Sequence, residues 1–502
     1  MSKFNTAAKY PMPELTENNC GWAAYTMDAK TKLVTQVLTS FFNESKFYGD
    51  NSEDLEKTVL KLIGTDPEFV SKMAIFARRE FNMRSVSHVL VGYLAHERDG
   101  KKYVKETVKN IVLRGDDATE ILAFYLSKFG KPIPNSLRKA LRDVFTGFDE
   151  YTLAKYKGDS KSLKMRDILC LCHPTPTSEE QSKVWKDLLE ENIKPAYTWE
   201  TELSAKGNNK ETWEELIASN RLPYMATLRN LRNILNAKPD NMEKAIKYLA
   251  NPDAIRKSRQ LPFRYYAAYT SIFGNAFPDR RIMDALEDAV DISIENLQKI
   301  PGKTMIAIDV SGSMSQSISS KSDIRCCDIA MMLGVIANRI CEDATVYTFD
   351  TSINKLYIPH RNGILDTVRN MRMTGGGTNM SLPFVQIQND FVQNGIVYDR
   401  AIVLSDNECN TCGSYGWYRT RPMQEYADGY RKLSGNRNFW VHAIDLCGYG
   451  TQQFAGPKTN IIAGWSEKVF EFIRLTEEGS DSLVKRIENY KVTTGKGGEE
   501  NA

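Results

Sequence analysis

The chain lacks any long uninterrupted apolar run. Its opening residues, MSKFNTAAKYPMPELTENNCGW, hold no apolar core of signal-peptide length, and no later stretch approaches the roughly 20 apolar residues a membrane span requires. A cytoplasmic protein with no membrane partner is expected. A disulfide framework is missing too: nine cysteines are an odd number without framework spacing, and Cys326 and Cys327 are adjacent, which suits reduced thiols. Compositional bias is absent, since 42% hydrophobic and 26% charged residues is ordinary globular usage and excludes disordered, collagen and coiled-coil classes. A strict internal repeat is also absent. Net charge is small, +3, but a whole-chain sum hides local patches.

What is present divides in two. At 502 residues the chain is too long for one core, so at least two domains are expected. From about residue 28 to 297 apolar residues recur at helical spacing between short polar or proline-marked breaks such as GTDPEF, GKPIPN, HPTPTS, RLPY and QLPF. In VKETVKNIVLR, Val104, Val108, Ile111 and Val112 fall on one face and Lys105 and Lys109 to the side of it. Many short helices joined by short loops fit a HEAT-like solenoid with a large exposed surface. Near residue 300 the pattern turns to apolar strands, TMIAIDVS, ATVYTFD, RAIVLSDN and NFWVHAIDL, with helices between them. That alternation predicts a doubly wound parallel sheet. The expected domains are therefore 1–299, helical; 300–475, α/β; and 476–502, a terminal helix with a flexible tail.

In an open α/β sheet, ligands bind at the carboxyl ends of the strands. IAIDVSGSMS places Asp309, Ser311 and Ser313 there, TGGGTNM offers Thr378 on a glycine-rich loop, and IVLSDNE ends on Asp406. Carboxylate and hydroxyl oxygens are hard ligands suited to Mg²⁺ or Mn²⁺ rather than zinc. The alternative is that Ser311 and Ser313 merely cap the following helix. The D-x-S-x-S spacing, with the threonine and second aspartate in order, resembles the metal-ion-dependent adhesion site (MIDAS) of von Willebrand factor A domains over residues 300–475. The resemblance implies that Ser311, Ser313 and Thr378 ligate directly, with Asp309 and Asp406 in support, and that the cation accepts a partner's carboxylate rather than performing catalysis. Cys409 and Cys412 form a C-x-x-C without a second pair, which favours structural thiols over a zinc site.

Between Arg221 and Arg264 ten Lys/Arg stand against three acids. In LPYMATLRNLRNI and IRKSRQLPFRYYAAY, Arg229, Arg232, Arg256, Arg259 and Arg264 accompany Tyr265, Tyr266 and Tyr269. Guanidinium groups bind phosphate bidentately and aromatic faces stack unpaired bases. A solvated basic face over core tyrosines is the competing reading. These segments, with FARREFNMRSVSHVLVGYLAHE and AKYKGDSKSLKMRDILCLCHP, resemble the TROVE module of the Ro 60 kDa proteins, which join an α-helical toroid to a von Willebrand A domain; the similarity covers nearly the whole chain. It implies a monomeric ring that binds small structured Y RNA outside and the single-stranded ends of misfolded RNA in its hole, in RNA quality control, in some cases with an exoribonuclease. Lys155 and His173 match Y RNA contact positions, with Lys157, Lys161 and Lys164 nearby. One departure is Gly158-Asp159 where relatives carry another basic residue; Lys161 could substitute. The expected function is non-enzymatic RNA binding. The alternatives are a metal-dependent protein-interaction scaffold without RNA, and a metal-dependent nuclease, the latter disfavoured because a second carboxylate cluster is missing.

Overall fold

The computed structural model describes residues 13–39, 51–158, 161–273, 279–319, 322–359, 362–410, 422–479 and 482–492. By its contacts the chain forms two compact units. One comprises Met1–Asp54, Leu261–Ala267 and Ser293–Val484; the other comprises Leu55–Gln260, Ala268–Ile292 and Lys485–Ala502. This division differs from the expected one at both ends of the chain, and the reasons are specific.

The α/β unit contains eleven described strands: β1 (Leu15–Glu17), β2 (Ala23–Thr26), β3 (Ile300–Asp309), β4 (Ser317–Ser319), β5 (Ser322–Arg325), β6 (Cys341–Phe349), β7 (Ile353–Leu356), β8 (Arg400–Ser405), β9 (Trp440–Asp445), β10 (Thr451–Gln452) and β11 (Thr459–Ala463). Six form the central sheet in the order β11-β9-β8-β3-β6-β7. It is parallel except at the edge, where β7 returns antiparallel to β6. Along β3, Met305 and Ala307 join a buried cluster with Phe384, Ile387, Ala427 and Tyr430 from helices Ser381–Asn394 and Gln424–Ser434. Alternation along a strand sends Ile306 and Ile308 to the opposite face, where the apolar helix Cys326–Ile340 packs on β3 and β6. Both faces are covered, which is why β8 is buried along its whole length.

The amino-terminal segment belongs to this unit because β2 pairs with β10 as well as β1. Asp28 then caps helix Ala29–Leu38 by accepting from the Lys30 and Thr31 amides at 3.0 and 3.1 Å, and Leu33, Val34, Val37 and Leu38 are buried. A helical pattern in the sequence said nothing about which core it would join.

In the helical unit, caps and breaks fall where polar residues and prolines stand. Asp66 caps Pro67–Glu80 through Phe69 N at 3.1 Å. Ser178, Asn209 and Asn251 cap Glu179–Leu189, Lys210–Ala218 and Pro252–Ser258 in the same manner. Helices pack on near neighbours in sequence: Pro67–Glu80 on Ser85–His96, Val104–Ile111 on Asn135–Phe145, and the latter on Met165–Cys172. Val104, Val108 and Ile111 are fully buried as their spacing requires, while Val112 lies past the helix end and is half-buried. Asp117 ties the unit together. Its buried carboxylate accepts Arg84 Nε at 2.8 Å, Arg78 at 3.2 Å and the Leu113 and Arg114 amides at 3.0 and 2.9 Å, and it faces His88 Nε2 at 3.2 Å. Burial alone would raise this carboxyl; the His88 and arginine contacts outweigh it and hold it well below the usual range.

Chain beyond Val484 joins the helical unit. Tyr490 packs edge-on against Phe76 at 5.3 Å and donates to Glu80 at 3.0 Å, and Lys72 donates to the Glu488 carbonyl at 2.6 Å. Of the expected tail VTTGKGGEENA, residues 493–502 lie outside the described residues. Among the described residues no helix is long and apolar enough to cross a membrane.

Candidate metal centre and nucleic-acid interface

The five candidate metal ligands converge at the carboxyl edge of the central sheet. Asp309 ends β3, Ser311 stands at the N-cap of the 3₁₀ turn Gly312–Ser315 and Ser313 lies within it, and Asp406 directly follows β8. Asp309, Ser311, Thr378 and Asp406 are wholly buried and Ser313 nearly so. Asp309 accepts the Ser311 amide at 2.9 Å and the Ser405 hydroxyl at 2.6 Å. The Ser311 and Ser313 hydroxyls lie 3.3 Å apart. The capping alternative is not realised: Ser311 holds the N-cap position of the short turn without a side-chain cap bond, and the following α-helix is capped by Arg325 and Asp328.

Main-chain bonds bring Thr378 to this edge. Gly375 N donates to Val310 O at 3.0 Å, and Gly312 N donates to Gly376 O at 2.8 Å. A side chain would crowd both contacting positions. A Cβ on Gly312 would lie 3.1 Å from Gly375 O, and one on Gly376 would lie 2.6 Å from Asp350 Oδ2.

The donor set fits a hard divalent cation. Thr378 Oγ1 and Asp406 Oδ2 are buried without a hydrogen-bond partner among the described residues, an arrangement that costs free energy unless something else engages them. Burial raises both aspartate carboxyls, and the Asp309 charge pushes Asp406 further up. A cation between them would reverse that repulsion. Among the described residues no three His, Cys, Asp or Glu side chains cluster as a metal site, so a cation here would depend on the hydroxyls as well as the two carboxylates. Cys409 is buried and its thiol faces Thr378 O at 3.4 Å; Cys412 lies outside the described residues.

Sequence reasoning missed the support of the Asp406 loop. Glu408 is fully buried and accepts the Asn19 amide and carboxamide at 3.0 and 2.9 Å, while Asn18 donates to Cys409 O at 2.8 Å. Burial pushes the Glu408 carboxyl up to about 7, against the Asn19 hydrogen bonds. The adjacent Asn18-Asn19 pair was visible as a turn signal; that it would grip a loop 389 residues away was not.

On the helical unit, Lys155, Lys161, His173, Arg229, Arg232, Arg256 and Arg259 are exposed, and Lys157 and Lys164 half-buried. Their charges are not equally available. Lys161 is paired with Glu120, Lys164 faces Glu191 at 3.4 Å, and Arg256 faces Asp253 at 3.3 Å. No acidic partner lies within ion-pair distance of Arg229, Arg232 or Arg259 among the described residues. Arg229 and Arg232 stand on consecutive helices, Tyr224–Arg229 and Leu231–Ala237, and Arg259 is the left-handed C-cap of Pro252–Ser258. His173 is likewise a left-handed C-cap, with φ 51°. Lys155 lies over the rings of Tyr151 and Tyr156. Arg264 is exposed but belongs to the α/β unit. Of the two readings of the tyrosines beside these arginines, the core reading holds: Tyr265, Tyr266 and Tyr269 are buried at 0%, 6% and 4% exposure. Arg264 points outward while the neighbouring rings fill the core.

The covered parallel sheet with D-x-S-x-S at its carboxyl edge defines a von Willebrand A-type domain, accompanied in this chain by a unit of short stacked helices. The TROVE domain model matches residues 27–194 and 191–277, half of the chain, and the Ro60 vWA domain model matches residues 303–424. The chain belongs to the Ro60-like family of TROVE proteins. Its relatives include the telomerase protein component 1 of Rattus norvegicus, 25% identical over 48% of this chain and 12% of that protein, and the RNA-binding protein RO60 of Deinococcus radiodurans, 26% identical over 39% of each. The chain thus spans a small fraction of the telomerase component's length. Among solved structures, the RO (RSR) protein of Deinococcus radiodurans matches 90% of this chain and 100% of its own, with a TM-score of 0.61 at 18% identity, a likeness of fold.

Proposed function

We propose that the chain is a non-enzymatic RNA-binding component of a cytoplasmic ribonucleoprotein, which holds small structured Y-like RNA and takes up single-stranded ends of misfolded RNA in quality control or processing. The observation that carries this reading is the group of exposed guanidiniums without acidic partners, Arg229, Arg232 and Arg259, on the helical unit of a family that includes a protein named for RNA binding. Phosphate contacts of this kind supply affinity that falls with salt. Filter binding of a stem-loop RNA with a single-stranded tail, across a salt series, tests it. Strong salt dependence is expected, and affinity indifferent to salt overturns it. Labelled RNA incubated with Mg²⁺ or Mn²⁺ is expected to stay intact; cleavage would end the non-enzymatic reading.

A second role rests on the partnerless oxygens of Thr378 and Asp406. Asp309, Ser311, Ser313, Thr378 and Asp406 would hold Mg²⁺ or Mn²⁺, which supplies positive charge for a carboxylate presented by a protein partner such as an exoribonuclease. Chelation separates the two roles. Protein docking through the cation collapses with EDTA, whereas phosphate-driven RNA binding survives. If RNA binding instead disappears with the cation, the division of labour between the units is wrong.

A further inference from the structure

Within the helical unit, a cavity of about 220 Å³ opens between helices Lys210–Ala218 and Met242–Leu249. Its floor is apolar, made by Leu216, Leu222 and Ala245, all buried members of one hydrophobic cluster. Its rim is different in kind. Tyr248, 37% exposed as a residue, lines it with its ring held edge-on against Tyr224 at 5.7 Å. Lys244, one turn earlier on the same helix, donates to Ala218 O at 3.0 Å at the cavity's edge. Asn220 lines it from a left-handed turn, φ 55°, and its exposed carboxamide makes no hydrogen bond within the described residues.

We infer that this cavity is a nucleobase pocket, which receives one unstacked base of a single-stranded RNA. The size is suitable, because a dry cavity of about 150 Å³ already admits a benzene ring. The chemistry matches as well: an apolar floor and an aromatic wall accept a planar ring, a carboxamide can donate and accept along a base edge, and an ammonium group on the rim meets the attached phosphate. Charge complementarity favours a nucleotide over an apolar protein side chain, since the segment 221–264 that builds most of this wall carries ten cations against three acids. The buried tyrosines 265, 266 and 269 leave the stacking function unfilled, and Tyr248 supplies it.

This inference rests on the RNA-binding reading, and its test separates the two. Fluorescence anisotropy on the full chain compares an octaadenylate RNA with an abasic oligoribonucleotide of equal length and charge. One stacked base is worth about tenfold or more in affinity, so the wild-type protein should prefer octaadenylate by about that factor. Ala245→Phe, which fills the cavity, should abolish the preference while leaving abasic binding unchanged. Asn220→Gly suits a positive φ without strain and should reduce the preference severalfold, and it decides the matter if the filled variant fails to fold. Retention of the preference in the folded variants, or no preference in the wild type, overturns the pocket and leaves phosphate binding intact. Failure of both oligonucleotides to bind overturns the pocket together with the RNA reading.

Discussion

Replacing Arg229, Arg232 and Arg259 together by alanine should flatten the salt dependence of RNA binding, by an amount that can be worked out. The three guanidiniums are exposed and stand without an acidic partner within ion-pair distance among the described residues, so each can neutralise at most one phosphate. Each phosphate neutralised on a single strand contributes about 0.7 to the slope of log affinity against log salt, so the variant's slope should be shallower by about 2. Between 50 and 200 mM salt, a fourfold change, the wild-type advantage should then shrink by about twentyfold. A matched control removes as much charge from surfaces where it is already met: Lys105, Lys206 and Lys210 lie 2.7, 2.7 and 2.6 Å from Asp143, Glu215 and Asp240. Its slope should scarcely move, because pairs of this kind release few counterions on binding. Anisotropy titrations at four salt concentrations, with circular dichroism to confirm folding, provide the measurement. A triple variant with the wild-type slope, or a control as shallow as the triple variant, would refute the reasoning and move the RNA surface elsewhere.

Three further outcomes are expected. Asp117→Ala leaves the buried Arg78, whose side chain is 6% exposed, without its carboxylate, and should destabilise the helical unit by about 3–5 kcal/mol; a loss below about 1 kcal/mol in urea unfolding would contradict the network drawn here. If the proposed cation site is real, Mn²⁺ should raise the melting temperature, and Thr378→Val, which removes a buried hydroxyl with no hydrogen-bond partner among the described residues, should abolish that shift while leaving metal-free stability equal or higher; a metal-free protein that is clearly less stable would mean the hydroxyl serves packing. At acid pH, Glu477 contributes beside Asp117: burial alone would raise its carboxyl, but hydrogen bonds from His442 and from Arg400 at 2.6 and 2.8 Å hold it at about 2. A depressed carboxylate contributes stability above its unfolded value of 4.5, and that stability is lost as pH falls from there through about 2. The effect is on the order of 3 kcal/mol. Glu477→Gln should remove most of that acid dependence in melts from pH 5 to pH 2, and an unchanged profile would exclude this pair as its origin.

The legible parts of this molecule were those encoded within one element. Asp309, Ser311 and Ser313 stand two residues apart after an apolar strand, and the pleat and the strand's end place them at the carboxyl edge wherever the strand lies in the sheet. Thr378 was harder, because its position depends on Gly375 and Gly376 bonding across to Val310 and Gly312; the glycine-rich loop offered it, and the order of a recognised pattern is what tied it to Asp309 and Asp406. The Asn19–Glu408 bond could not be read at all. Nothing local distinguishes Glu408 from a solvated loop acid; its hydrogen-bond partners, Asn19 and Thr451, come from distant parts of the chain. The choice left open between base-stacking and core roles for Tyr265, Tyr266 and Tyr269 was of another kind, since the signal needed to settle it was present. Tyr265, Tyr269 and Ile272 follow i, i+4, i+7 spacing, which marks a buried helical face, and all three are buried in Pro262–Phe273. Adjacency to Arg264 suggested a shared RNA surface, yet neighbours in a helix point about 100° apart, so a basic residue beside an aromatic one is weak evidence that both meet the same ligand. The same logic separates the lysines. Lys161 and Lys155 look alike in the sequence, but Glu120, distant in the chain, neutralises Lys161, while Lys155 is exposed over the Tyr151 and Tyr156 rings. An attractive basic string therefore overstates the charge it offers to phosphate, and the cations to trust are those whose surroundings leave them no acid to satisfy.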